Sequence, residues 1–206
     1  LCSILSESSM SHQDKVRVAI FASGSGSNAR ALIEFSQNTT ASYRIVAIIS
    51  NKESPGAKLI AEQFGVPFEY VSDSGNAEAL TSMLQKYKAE VVALGGYMKL
   101  LPSDFVAGHI GKIINIHPSL LPDYGGKGMY GIHVHMAVFL DKKPFTGITI
   151  HFVDEEYDTG SAIAQAKVDI AEMDTPESIA AKVRETEHLV YPMVLDHLCQ
   201  RIYSQS

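Results

Sequence analysis

Runs of consecutive apolar residues, each about one strand long and most followed by a helical pattern, recur through the first half of this chain. That alternation restricts the fold more than any other feature. Val16 to Ala22, Arg44 to Ser50, Glu90 to Gly95 and Lys112 to Ile116 read as strands apolar on both faces. Such strands must be covered on both sides, which is the condition of parallel sheets built from β-α-β units. Between them, helical spacing carries Ala31, Leu32 and Phe35, then Ala57 to Phe64, which Gly65 closes, and then Asn76 to Tyr87. Val66 to Val71 is a further short extended segment. Right-handed crossovers would wind these units into one sheet with helices on both faces.

The second half reads differently. Helical spacing returns from His133 to Leu140, and Gly147 to Val153 and Ser161 to Ile170 are strands joined by the acidic turn Asp154 to Gly160. A turn that short lets two strands pair antiparallel. Thr175 then caps a long helix with Pro176 at its first position, and Ile179, Val183, Val190, Val194 and Leu198 lie on its buried side. Pro192 is expected to kink it. The expected fold is α/β: a single-domain, Rossmann-like, doubly wound and mostly parallel sheet, helices on both faces, with an antiparallel portion in the C-terminal half.

The charge balance narrows the partners. A net charge of −6 over 206 residues argues against broad nucleic-acid or anionic-membrane binding, though not against a local anion site. Two cysteines, Cys2 and Cys199, make no disulfide framework, so a reducing, cytoplasmic compartment is expected. No apolar run reaches the roughly 20 residues of a membrane-spanning helix. Leu1 to Ser9 lack the basic and long apolar regions of a signal peptide, and Met10 resembles a natural start. Residues 1–14 are therefore expected to be a disordered extension.

Three strand ends carry unusual residues, and in a sheet of this kind ligands sit at the carboxyl ends of the strands. Gly24-Ser25-Gly26-Ser27-Asn28-Ala29 follows the first strand in the G-x-G-x-x-G/A pattern. Its glycines admit a close backbone approach, and free N–H groups at a helix start point at an anion. A plain tight turn capped by Ser27 is the alternative. The second strand ends in Ser50-Asn51-Lys52 without an acidic residue to hold a ribose, so a mononucleotide-like phosphate fits better than a dinucleotide. Gly95-Gly96 precede the apolar run Tyr97 to Leu101, which is either core or the wall of a flat ligand.

At the third strand end, Asn115 and His117 stand two apart and so share a face, an amide donor beside a proton-exchanging imidazole. The glycine-rich loop from Asp123 to Gly131 follows, and long loops in compact domains are often functional. Among Asp154, Glu155, Glu156 and Asp158, the turn residues Thr159-Gly160 single out Asp158 as the carboxylate aimed inward, able to hold His117 as an imidazolium. His133 and His135 lack a further ligand at a fixed offset and are expected to line a loop or cap a helix rather than bind metal. His151 lies on an alternating strand and faces either solvent or core.

These motifs, in this order, resemble the glycinamide ribonucleotide formyltransferases, the folate-dependent enzymes of purine biosynthesis. Gly24 to Asn28, Ser50-Asn51-Lys52, Asn115 to Pro122, His151-Phe152-Val153, Asp158-Thr159-Gly160 and Glu187-His188-x-x-Tyr191-Pro192 carry the resemblance, from about Val16 to about Leu198. It implies a formyltransferase domain over residues 15–203 that moves a formyl group from 10-formyltetrahydrofolate, a cosubstrate, to the amine of glycinamide ribonucleotide, without a metal. It further implies Asn115, His117 and Asp158 as the catalytic trio, and Gly26, Ser27, Asn28, Pro118 and Glu187 at the ribonucleotide. Met98, Lys99, Leu100, Leu101, Val153, Asp154, Glu155 and Glu156 would then surround the folate. A monomer or homodimer acting on small molecules is expected.

Two departures from the family pattern are visible. The loop from Tyr124 to Met129 is longer than usual, and no arginine lies between Arg44 and Arg184, where many members carry one that meets the glutamate tail of the folate. Arg184 itself stands where some members have glutamine. Related readings are a formyltetrahydrofolate hydrolase, usually with an N-terminal regulatory domain, and a methionyl-tRNA formyltransferase, with a C-terminal domain and a basic surface that a charge of −6 does not suit. A non-catalytic nucleotide-binding module would explain the glycine turn alone, and leaves Asn115, His117 and Asp158 without a role.

Overall fold

Strand and helix alternate through β1 (Val16–Phe21), α1 (Ser27–Ser36), β2 (Tyr43–Ser50), α2 (Gly56–Phe64), β3 (Phe68–Tyr70), α3 (Ala77–Tyr87), β4 (Val91–Leu94), α4 (Ser103–Ala107) and β5 (Ile113–His117). The chain then continues through α5 (Ile132–Leu140), β6 (Phe145–Phe152), β7 (Ala162–Asp169) and α6 (Pro176–Tyr203). The computed structural model describes residues 15–53 and 55–204. The expected N-terminal extension, residues 1–14, lies outside the described residues, as does Cys2.

The strands form one sheet in the order β3-β2-β1-β4-β5-β6-β7. Pairing is parallel from β3 to β5 and antiparallel across β5–β6 and β6–β7, as the two kinds of sequence pattern require. The order reverses direction between β1 and β4, so the strand ends at Gly24 and Gly95 open the crevice where ligands bind in doubly wound sheets.

The alternating side chains of the strands supply two cores. Val18, Ile20, Ile114, Ile116, Ile148 and Ile150 face α1, α2 and α6, while Ala19, Phe21, Val92, Leu94 and Ile113 face α3 and α4. The five-residue α4 had no counterpart in the sequence reading, because one turn and a half is too short to show a period. Thr175 caps α6 as expected, its side chain accepting from the Ser178 N–H. The helix stays continuous through Pro192, which is buried. Among the described residues no helix is long and apolar enough to cross a membrane.

Candidate active site

The glycine turn after β1 leaves a helix start open. Gly26 is the N-cap of α1 with φ of 80°, and no side chain caps the helix. Ser27, which would cap the helix in the alternative reading of the turn, is instead the first helical residue. The first N–H groups of a helix have no intrahelical partner, so an uncapped start presents them to whatever lies in front. Here that is a cavity of about 660 Å³, which Gly24 to Asn28 line. Gly26 cannot be exchanged for alanine cheaply: its φ is left-handed, and a Cβ would sit 2.6 Å from the Ala57 Cα.

At the far side of α1's first residues, Asn28 donates through Nδ2 to Glu187 Oε2 at 3.1 Å. Glu187 comes from α6, a separation of 159 residues, and is 9% exposed. Burial pushes its carboxyl up to about 7, against the opposing influence of the Asn28 hydrogen bond and the Arg184 charge. The Asn28 Oδ1 is buried without a hydrogen-bond partner among the described residues. A buried acceptor beside a reluctant carboxylate is a place that gains from hydroxyl donors.

The antiparallel register of β5 and β6 sets Asn115 opposite His151 and His117 opposite Thr149. Directly opposed residues share a face, so two histidines and an amide meet at one spot. The Asn115 Nδ2 lies 3.1 Å from His151 Nε2, and His151 Nδ1 lies 2.8 Å from the Phe152 carbonyl oxygen. That carbonyl accepts, so Nδ1 carries a hydrogen; in the neutral ring Nε2 accepts from Asn115, and in the protonated ring it faces Asp158 Oδ1 at 3.6 Å. One hydrogen of the amide is thereby committed and the other is left for the cavity. Thr149 serves structure: its hydroxyl donates to the Ser119 carbonyl and accepts from the Leu121 N–H, bracing the turn after His117.

His117 is 3% exposed, with Nε2 2.8 Å from the Tyr124 carbonyl oxygen and Nδ1 3.4 Å from Asp158 Oδ2. The carbonyl assigns the hydrogen to Nε2, so in the neutral ring Nδ1 is the free base, facing a carboxylate. Burial lowers the His117 pKa and outweighs Asp158 and the Tyr124 carbonyl, which act to raise it. The ring is thus a neutral base whose protonated form has an oxygen waiting at each nitrogen. For Asp158 the balance runs the other way. Burial alone would raise its pKa, yet the hydrogen bond from a protonated His151 ring, the positive charge that His117 carries once protonated and the Gly126 N–H, which donates at 2.9 Å, together lower it.

Asp158 reaches this position through backbone, not composition. Its own φ is 59°, the left-handed region, which aspartate tolerates better than most residues. Behind it, a Cβ on Gly160 would fall 1.8 Å from the Phe152 carbonyl oxygen, so only glycine lets the turn close onto β6. Of the other acids, Asp154 accepts from the Glu156 N–H and the Thr159 hydroxyl within the turn, and Glu156 lines the cavity.

Of the residues expected around folate, Met98, Lys99, Leu100, Leu101, Val153 and Glu156 line the cavity. Asp154 and Glu155 do not; one is tied up in the turn and the other is exposed. Pro118 and Glu187 line it as well. Two histidines were undervalued. His151 carries the Asn115 contact, and His135, on the inner side of α5, lines the cavity with burial lowering its pKa to about 4, helped by Arg184 and His117. Only His151 had a readable signal, its place in a strand that could pair with the Asn115 strand.

Comparison with known proteins shows the family. Residues 16–195 match the family described as Formyl transferase. The chain belongs to the formyl transferase family. It is 39% identical over 191 residues to the chloroplastic phosphoribosylglycinamide formyltransferase of Arabidopsis thaliana, covering 89% of this chain and 65% of that protein. The chain thus spans just under two thirds of that relative. Against the phosphoribosylglycinamide formyltransferase of Bacillus subtilis the identity is 37%, covering 88% of this chain and 94% of the relative.

Among solved structures, the phosphoribosylglycinamide formyltransferase of Anaplasma phagocytophilum superposes with a TM-score of 0.83 at 34% identity, covering 90% of this chain and 87% of that one. A formyltetrahydrofolate deformylase from Pseudomonas syringae superposes at 0.79 with 27% identity, covering 91% of this chain and 62% of that one. Proteins named as a formyltransferase and as a deformylase thus share this fold.

Proposed function

We propose that this chain transfers the formyl group of 10-formyltetrahydrofolate to the primary amine of glycinamide ribonucleotide. The observation that carries the reading is the meeting of Asn115, His117 and Asp158 in one cavity with the uncapped start of α1. The phosphate of the ribonucleotide belongs on the N–H groups of Gly26, Ser27 and Asn28. Arg184, which lines the same cavity and makes no ion pair among the described residues, supplies a counter-charge. Ribose hydroxyls donate to Glu187, and Pro118 walls the path from phosphate to amine. The apolar arm of Met98, Leu100, Leu101 and Val153 suits a flat heterocycle, with Lys99 and Glu156 at its polar rim.

The amine adds to the formyl carbon, and negative charge grows on the formyl oxygen. The uncommitted N–H of Asn115 donates to that oxygen. The attacking nitrogen sheds a proton to His117 Nδ1, directly or through a water held by Asp158, and the imidazolium adds positive charge beside the oxyanion. Collapse of the adduct breaks the bond to the folate nitrogen, which takes the proton. One proton leaves the amine and one arrives on the folate, so the step balances.

Purified full-length chain is expected to consume 10-formyltetrahydrofolate only when glycinamide ribonucleotide is present, with one formylated product per tetrahydrofolate released. Equal consumption in its absence would mean transfer to water and would overturn the proposal.

Glu187 gives the reading a pH signature. Its carboxyl is raised to about 7, so below that pH the group is protonated and a poor acceptor for ribose hydroxyls. The KM for glycinamide ribonucleotide should therefore fall as pH rises through about 7, while Glu187→Gln should show a flat profile and a KM roughly ten- to a hundredfold higher, the loss of hydrogen bonds to a charged group. The sign for stability is opposite. A raised carboxyl leaves the folded state binding more protons than the unfolded one, so stability without substrate should decline between about pH 4.5 and 7. A KM independent of pH in the unaltered chain would remove Glu187 from the ribose site.

A further inference from the structure

The loop after β5 touches both members of the His117–Asp158 pair through its backbone. The Tyr124 carbonyl accepts from His117 Nε2 at 2.8 Å, and the Gly126 N–H donates to Asp158 Oδ2 at 2.9 Å. Neither contact involves a side chain of the loop, so both depend on where the backbone of residues 124–126 is placed. Tyr124 is itself in an unfavourable conformation, with φ of 56°. A non-glycine residue there costs roughly 1 kcal/mol or more and persists only where its surroundings enforce it.

Its side chain is anchored outside the cavity. The Tyr124 hydroxyl donates to Asp141 Oδ2 at 2.6 Å, and Asp141 is the C-cap residue of α5, its N–H fixed on the Ala137 carbonyl. Neither Tyr124 nor Asp141 lines the cavity. Burial and the Asp141 hydrogen bond push the Tyr124 phenol up to about 12, so it stays a donor throughout the neutral range. The same tyrosine is thus anchored by its side chain to a helix end and by its carbonyl to the imidazole. On the other side of the loop, the Ser119 hydroxyl donates to the Asp123 carbonyl at 2.6 Å, which holds the preceding residue but not the Tyr124 side chain.

We propose that the Tyr124–Asp141 hydrogen bond is a latch that makes both residues positioning residues for His117. It keeps the Tyr124 carbonyl on Nε2 and thereby fixes the tautomer in which Nδ1 is the base facing Asp158. The proposal rests on the reading of His117 given above, but not on the identity of the acceptor substrate. Apart from the Tyr124 carbonyl, the titratable groups facing the ring are Asp158 from the β6–β7 turn, His151 from β6 and His135 from α5. None of them is on the latch, so altering the latch leaves these groups chemically unchanged.

The test uses the full chain and two readouts. Imidazole ¹⁵N spectra of the ligand-free protein are expected to show His117 with its hydrogen on Nε2 in the unaltered chain. In Tyr124→Phe and in Asp141→Leu the signal should move toward a mixture of tautomers, while Asp141→Asn, which keeps an acceptor oxygen, should retain the original state. In formyl transfer, Tyr124→Phe and Asp141→Leu should each lower kcat roughly three- to tenfold, the range for one hydrogen bond, with both KM values within about twofold. The double variant should lose no more than either single one, because both remove the same bond.

An unchanged His117 spectrum in both single variants overturns the latch whatever the activity shows. Additive losses in the double variant overturn it too, since the residues would then act separately. If no variant and not even the unaltered chain transfers formyl, the spectra still decide the latch, and the failure falls on the proposed reaction instead.

Discussion

Asp158→Asn is expected to lower kcat for formyl transfer by roughly 10³- to 10⁴-fold, the scale seen when a carboxylate that orients a catalytic imidazole becomes an amide. The substitution preserves size, and asparagine tolerates the left-handed φ of 59° that Asp158 adopts. Its amide oxygen can still accept from the Gly126 N–H. What goes is the negative charge 3.4 Å from His117 Nδ1. An amide N–H turned toward Nδ1 would hold the ring neutral, and a buried imidazolium without its counter-ion is costly. The two KM values should change little, because the charge matters only once His117 has taken a proton.

Stability offers an independent check on the same carboxylate. The Asp158 pKa is lowered in the folded chain, so the carboxylate's contribution is fully present above the unfolded value of about 4 and is lost as pH falls through the depressed folded value. Urea unfolding of the unaltered chain and of Asp158→Asn should differ at pH 7 and converge as the pH falls below about 4. Transfer at a rate within tenfold of the unaltered chain would take Asp158 out of the mechanism.

Asn115→Ala is expected to cost about 10²- to 10³-fold in kcat, or roughly 3–4 kcal/mol, as for the loss of one oxyanion donor. The binding of both substrates should be nearly preserved, since the amide's contribution grows only as charge develops on the formyl oxygen. Truncation also strips His151 Nε2 of its donor at 3.1 Å, in a ring only 2% exposed. An unsatisfied buried acceptor costs about 1–3 kcal/mol, so a modest loss of stability should accompany the kinetic one. Single-turnover kinetics separates the two effects. A defect confined to KM would show that Asn115 binds substrate and does not stabilise the oxyanion.

The alternation of strand and helix was legible because it is a local property. Runs such as Val91–Leu94 are apolar at every position, and only a sheet covered on both faces accommodates them. The open helix start was half legible: the Gly24–Asn28 pattern pointed to the strand-turn-helix junction, but left a turn capped by Ser27 as the alternative. Its place within the helix, with Gly26 left-handed before it, is what leaves the first N–H groups free. Glu187 was recognised only through its motif, since its partner Asn28 lies 159 residues away.

By itself, then, the sequence determined the parallel sheet, the antiparallel addition, the glycine turn, and the pair of polar residues on one face at the end of β5. All of these follow from periods and turn chemistry that neighbouring residues impose on each other. The tertiary structure alone decided that His151 stands opposite Asn115, that Asp158 stands 3.4 Å from the imidazole nitrogen, and that a loop backbone grips both members of that pair. The first depends on the register between strands, which no local pattern encodes. The others depend on left-handed backbone at Tyr124 and Asp158 and on a clash that only Gly160 avoids, and such conformations are set by what packs around them.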